Sequence, residues 1–489
     1  MMKLSAMCSI KRTDPANSSS NNATFDINDE SERLHILIVD ESCHDNTVIK
    51  EWSEVYAGDR TGNNLSRKRR IEKVPSLMRR AHEGDNQEYN PRVVSLGPYH
   101  HGKQELQLAE NLKHSILPKF ISGSGKQFDD FYNKVLEVID DVRSCYVEGS
   151  TSDYNDQEFA KMMLLDGCFL LYYIECMSNR RLEIWEFVHH MGMFAAKYIL
   201  SDLFLLENQL PLQLLEALMS ERFKEDERGG MIENFFAVMF AKAPPPRSKH
   251  SISRREDEKQ PLHLLEALRT ILLSNYDEDK QRIQSSLFPS GRKELPICDV
   301  KEYIRSSIRP VTELQAKGIQ FKRSNSVSLK DIKFNSKCFY GQLSLPPRII
   351  NAQTKTIYSN LIAYEMCPST PNDCGITSYI SFMKSLICQP EDVRELRSKN
   401  ILINCLGNDE EVVKMFKDII TYDLQKFGIY DQVRKDIQNH YNNKMKTWMA
   451  ELIHKYFSSP WTVVAFFAAT SLLILSFLQS YFTISPTHH

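Results

Sequence analysis

Between Ile71 and Ile437, apolar residues recur three and four positions apart over most of the chain. That is the spacing of one face of an α-helix. Leu108, Leu112, Ile116 and Phe120 form such a stripe within 106–120, and Val135, Val138, Ile139 and Val142 form another within 131–142. Residues 160–175 are apolar nearly all round and are interrupted by Asp166. Their apolar run, 162–174, is too short to cross a bilayer, so the pattern predicts the central helix of a globular domain. Ser201-Asp202 offers an N-cap for the adjoining LFLLEN run. Helices are also predicted over 311–317, stopped by Gly318, and over 357–366 and 376–387. After Gly407-Asn408, the acids Asp409, Glu410 and Glu411 favour the positive end of a helix whose buried face is Val412, Val413, Phe416, Ile419 and Ile420.

The period changes after Pro310. Ile332 and Phe334 flank Lys333, and Phe339, Gly341, Leu343 and Leu345 alternate with other residues. With a turn at Asn335-Ser336-Lys337, this predicts an antiparallel β-hairpin ended by Pro346-Pro347. There is also an internal echo: PLQLLEAL from Pro211 recurs as PLHLLEAL from Pro261. Two copies predict paired helices with equivalent packing roles and a Pro at the first helical position. A solenoid needs about three or more repeats.

From Trp461 to Ile484 the chain runs 24 residues without a charge. At ~1.5 Å per residue, about 20 apolar residues cross a hydrocarbon core ~30 Å thick. The fold class is therefore mainly α: a helical domain with a small antiparallel β-hairpin and one C-terminal transmembrane helix. The predicted organisation is a disordered arm over 1–70, a globular domain over 71–440, a juxtamembrane amphipathic helix over 441–460 and the span over 461–484. Trp448, Met449, Leu452, Ile453, Tyr456 and Phe457 carry the juxtamembrane stripe, which lies along the membrane interface or packs on the domain.

Charge narrows the picture. The chain has 489 residues, with 61 basic and 63 acidic side chains and a net charge of −2, which gives no reason to expect nucleic-acid binding. The first 20 residues lack the apolar run of a secretory signal, so the span is expected to act as a tail anchor. Lys444, Lys446 and Lys455 precede the span, whereas only His488 and His489 come after it, which puts the body in the cytosol. The plasma membrane is the expected site, and an extracellular body is the alternative orientation.

The 11 cysteines are odd in number and scattered, not a disulfide framework. Cys367 and Cys374 flank a Pro-containing loop and pair only in an oxidising compartment; the alternative is two free thiols. The basic run Arg67-Lys68-Arg69-Arg70 reads as a nuclear import signal, an anionic-lipid contact or an ordinary solvated segment. Sequons at Asn17, Asn22 and Asn64 lie in the polar arm, and residues 243–259 read as an exposed Pro-rich and basic loop.

No catalytic, cofactor-binding or metal-ligating residue is assigned, and the chain is not expected to be an enzyme. His100-His101 and His189-His190 are adjacent pairs, and neighbours in sequence do not share a helix face as zinc ligands at i,i+4 do. The segment Ser122-Gly123-Ser124-Gly125-Lys126 fails as a phosphate loop, because Phe120 replaces the first glycine and Gln127 comes directly after the lysine. Asp166 and Glu207 stand in apolar helical surroundings, where carboxylates with raised pKa values can form an acid–base pair. Their more usual role is to bond a helix end or an arginine.

Taken in order, VPSLMRR, YNPRVVSLGPYHHG, MMLLDGCFLL, DLFLLENQLP, TELQAKGIQFK, SNLIAYE, ITSYISFM and LGNDEEV, then YFSSPW and the apolar tail, resemble the plant family called domain of unknown function 247. The resemblance covers roughly 74–481. It implies a plant, membrane-associated protein of unassigned activity, and it brings no catalytic residues. Some grass members are implicated as pollen-side determinants of self-incompatibility, which implies recognition, with a protein partner of unknown identity. The signature positions here are Pro75, Gly97, Pro98, Tyr99, His100, His101, Gly102, Asp166, Gly167, Glu207, Asn208, Gln209 and Pro211. Leu345-Pro-Pro-Arg-Ile-Ile departs from the family pattern by a second Pro, which places only the local strand end in doubt.

Overall fold

A computed structural model describes residues 69–81, 88–179, 184–228, 230–239, 260–274, 308–337, 340–370, 373–422, 429–443 and 460–484. These belong to a unit that begins at Lys68. The arm before Lys68 with its sequons, the 243–259 loop and the juxtamembrane stripe lie outside the described residues.

The protein is mainly helical. The first group of helices is α1 (Ser76–Ala81), α2 (Gln107–Ser122), α3 (Phe128–Ser144), α4 (Asp156–Asn179), α5 (Ile184–Asp202), α6 (Leu212–Arg222), α7 (Glu225–Arg228) and α8 (Met231–Met239). The predicted central helix is α4, against which α2, α3, α5, α6 and α8 all pack. Its neighbour α3 starts where Gln127 and Asp130 form a capping box, with the Gln127 N–H donating to Asp130 Oδ2 at 2.8 Å. The predicted stripe on α2 holds at Leu112, Ile116 and Phe120 and departs at Leu108. Leu108 is 49% exposed, and Ala109, Leu112, Ile116 and Phe120 are buried beside Lys113.

The second group is α9 (Leu264–Leu273), α10 (Val311–Ala316), α11 (Thr354–Glu365), α12 (Gly375–Leu386), α13 (Pro390–Ser398), α14 (Asp409–Asp418) and α15 (Asp431–Tyr441). Gly318 at φ +78° lies just beyond α10, as the sequence predicts. Asn408 Oδ1 accepts the Glu411 N–H at 2.8 Å and caps α14.

The predicted antiparallel pair is present, β2 (Lys333–Ser336) with β3 (Gly341–Leu345), but Asn335 and Ser336 of the predicted turn are strand residues paired with Gln342 and Gly341. It is one edge of a larger sheet, however, because β1 (Ile319–Arg323) pairs parallel with β3 from the other side. A second sheet pairs β4 (Arg348–Ile350) in parallel with β5 (Leu402–Asn404), so the double proline separates two strands.

The echo also needs correction. The two copies do meet, since the Leu212 N–H donates to Leu262 O at 2.8 Å. Their packing roles differ: α6 lies on α3 and α4, whereas α9 lies on α11 and α12. Pro211 is the N-cap of α6, and in the second copy the helix starts three residues after Pro261, where the His263 imidazole caps it. Finally, α16 (Pro460–Ile484) contains 18 residues, Val464–Tyr481, with mean hydropathy 1.7 and none buried. It is long and apolar enough to cross a membrane.

Candidate functional site

Residues 92–97 form no helix or strand, and no strand pairs with them among the described residues. Buried backbone N–H groups need acceptors, and here side chains supply them. Asp202, the last residue of α5, accepts the N–H groups of Arg92, Val93 and Val94 at 2.8–3.2 Å. Asp202 therefore ends one helix and receives this segment; it does not cap LFLLEN, which forms turns. Burial pushes its carboxyl up to about 6, and the three N–H groups limit the rise. Asn208 accepts from Leu96 N at 2.6 Å and donates to Val94 O and Asp202 O.

Asp166 continues the pattern. Its Oδ2 accepts the Gly97 N–H at 2.8 Å, and its Oδ1 lies 2.6 Å from Lys113 Nζ. Lys113 is fully buried and also donates to Ser95 O at 2.7 Å and Glu110 Oε1 at 2.6 Å, so all three ammonium protons have acceptors. Burial raises the Asp166 carboxyl above its usual range, against the pull of Lys113. Glu207 Oε1 accepts the Val74 N–H at 2.8 Å, and Oε2 accepts from Arg79 at 2.7 Å. The imidazole Nε2 of His100 is 3.2 Å from the same oxygen. Burial alone would raise Glu207, but these donors outweigh it and hold the group at about 2.

Both candidate carboxylates thus have every oxygen engaged in holding the chain. Gln209 acts likewise: its amide donates to Leu203 O and Leu205 O and accepts from Leu265 N, so it ties the first copy of the echo to the second. Gly97, at φ +72°, is where this segment comes close to Tyr146 and Gln209. A Cβ there would lie 2.9 Å from Tyr146 Oη and 3.2 Å from Gln209 O. Gly102 has φ +79° with open space around it, and Gly167 lets Leu218 of α6 approach α4.

The open site lies elsewhere. A cleft of about 890 Å³ is lined by Gly123, Ser124, Glu175, Arg222, Lys224 and Glu227, among others, and neither Asp166 nor Glu207 reaches it. The rejected phosphate-loop segment forms part of its wall. Gly123 packs so closely on the Arg222 guanidinium that a Cβ would collide with it. Arg222 also lies 5.4 and 5.1 Å from the Phe120 and Phe223 ring centres and 3.5 Å from Glu175. The cleft wall is polar and of mixed charge.

The other predicted positions have plain structural places. His101 packs edge-on to Tyr154, and His189 and His190 are exposed on α5. Among the described residues no group of three or more His, Cys, Asp or Glu side chains is arranged to hold a metal ion. Cys367 and Cys374 are buried free thiols. Two members of the basic run are tied to the body: Arg69 bonds Glu266 at 2.8 Å, and Arg70 lies 3.6 Å from Glu148.

Comparison with known proteins places this sequence in a family. The pattern of the plant family of unknown function DUF247 matches residues 71–475, and the chain belongs to that family. It is 28% identical over 407 residues to UPF0481 protein At3g47200 of Arabidopsis thaliana, spanning 80% of this chain and 82% of that protein. It is 23% identical over 480 residues to putative UPF0481 protein At3g02645 of the same plant, spanning 83% and 88% respectively. No solved structure matches the chain.

Proposed function

We propose that the chain is a membrane-anchored interaction protein whose body presents a recognition surface. The observation that carries this reading is α16, which holds 18 consecutive residues of membrane-spanning character with none buried in protein. An apolar surface of that length exposed on a helix belongs in lipid. The body supports the reading, because the polar residues that mark it, Asp166, Glu207, Asn208 and Gln209, are engaged in holding backbone. Lys444, Lys446 and Lys455 before the span favour a cytosolic body at the plasma membrane. Cell–cell recognition of the self-incompatibility kind is the finer form of this proposal, and it requires the opposite orientation.

The test is chemical crosslinking of the full chain in intact plant plasma membranes, with mass spectrometry of the adducts. The proposal expects one or a few proteins attached through the body. Absence of any protein adduct, together with turnover of a small molecule by the full chain in nanodiscs, would refute it.

A further inference from the structure

Helix α5 carries an apolar, cationic patch that the fold does not use. At Gly192 the helix breaks, with φ +79° and ψ 156°, and the next two residues, Met193 and Phe194, are 64% and 72% exposed. Phe194 packs edge-on to Tyr198, with ring centres 5.4 Å apart. Lys197 Nζ sits over both rings, 4.6 and 4.8 Å from their centres, and the Arg92 guanidinium lies 4.9 Å from Tyr198. Lys197 and Arg92 are exposed. Two large apolar side chains in water, flanked by two cations and a half-buried tyrosine, have the composition of a surface that enters a headgroup layer.

The patch is tied to the body on both sides. Arg92 has its backbone N–H on Asp202, the last residue of the same helix, and Gln353 donates to the Lys197 carbonyl at 3.3 Å. A flexible loop would lose entropy on docking, whereas a patch already fixed loses little. Gly192 permits the break, and a Cβ there would meet nothing within 4 Å, so the positive φ alone calls for glycine.

We infer that Met193, Phe194, Lys197, Tyr198 and Arg92 form a contact site for an anionic lipid bilayer surface. The inference rests on the proposed anchoring, because a body tethered through α16 meets that surface at high effective concentration. Sixteen residues separate Asn443 from Pro460, a short connection between the body and the proposed span. A bilayer is favoured over a protein groove because the cations surround exposed apolar groups and each cation near an anionic leaflet adds favourable energy.

The experiment places a benzophenone analogue of phenylalanine at position 194 in the full chain, reconstituted into vesicles of phosphatidylcholine with or without 30% phosphatidylserine. After irradiation, the adducts are identified by mass spectrometry. Retention after carbonate extraction is scored separately. The inference expects phospholipid adducts, several-fold more abundant with phosphatidylserine, and about a fivefold drop for Lys197→Gln on those vesicles. Carbonate-resistant chain with no lipid adduct at position 194 overturns this inference and leaves the anchor reading intact. Adducts to a second copy, or to a protein when the irradiation is repeated in plant membranes, also overturn it. Lipid adducts on chain that carbonate releases would uphold the patch and refute the span.

Discussion

Lys113 Nζ and Asp166 Oδ1 face each other at 2.6 Å, with both side chains shut off from solvent. The pair joins α2 to α4, and through the Gly97 N–H and the Ser95 carbonyl it also fixes the segment that crosses them. Breaking a buried pair from one side leaves a charge with no solvent and no partner, a cost of roughly 3–5 kcal/mol. Lys113→Met is therefore expected to lower the unfolding free energy in urea by about that amount. A loss below about 1 kcal/mol would mean that the pair is not the key that the geometry makes it.

The two glycines of the GPYHHG segment separate strain from collision. Gly97→Ala meets a positive φ and also Tyr146 and Gln209, whereas Gly102→Ala meets the positive φ alone. An alanine in the left-handed region costs about 1 kcal/mol, and overpacking adds roughly 1–3 kcal/mol. Gly102→Ala should thus cost about 1 kcal/mol and Gly97→Ala at least twice that, as read from paired denaturation curves. Equal losses would contradict the packing described at Gly97.

His263 makes stability depend on pH. Burial holds its imidazole at about 4, down from the usual 6.5, while Nδ1 accepts the Glu266 N–H at 3.2 Å. Between those values the unfolded chain binds the proton and the folded chain does not. The contribution is therefore complete above about 6.5 and is lost as pH falls toward 4, by as much as about 3 kcal/mol. His263→Asn retains a capping oxygen and removes the titration. Its stability should fall less than that of the parent chain across this window, and an unchanged slope would assign the pH dependence to another group.

Gln209 bonds three backbone groups, of which the Leu205 carbonyl also accepts the Asn208 N–H at 3.1 Å. Gln209→Leu strands the Leu203 carbonyl and the Leu265 N–H, at ~1–3 kcal/mol for each group left unpaired, while the Leu205 carbonyl keeps the Asn208 N–H. Hydrogen exchange should quicken at Leu265 and at the start of α9, while α3, which the bridge does not touch, keeps its protection. Uniform quickening across the body would indicate global loss of fold instead.

Much of this architecture was legible in the pattern of residues, because helix periodicity is local. The helices around α4, the stop at Gly318 and the cap at Asn408 are each set by a few neighbouring positions. The parallel β1–β3 and β4–β5 pairings escaped because strands of three to five residues gain their identity from partners far along the chain. Asp166 stood out as an acid in an apolar helix. Lys113 did not, since a lysine on a stripe edge reads as solvated until an acid is placed opposite. Asp202 could cap a helix after it or receive a segment from elsewhere in the chain, and only the course of residues 92–94 decides between the two.

Membrane attachment stands or falls on α16. Carbonate extraction of plant membranes containing either the full chain or a chain ending at residue 459 tests it directly. Full chain in the pellet and shortened chain in the supernatant is the predicted result. Full chain released by carbonate, or shortened chain retained, would show that residues 460–484 are not what holds this protein in the membrane.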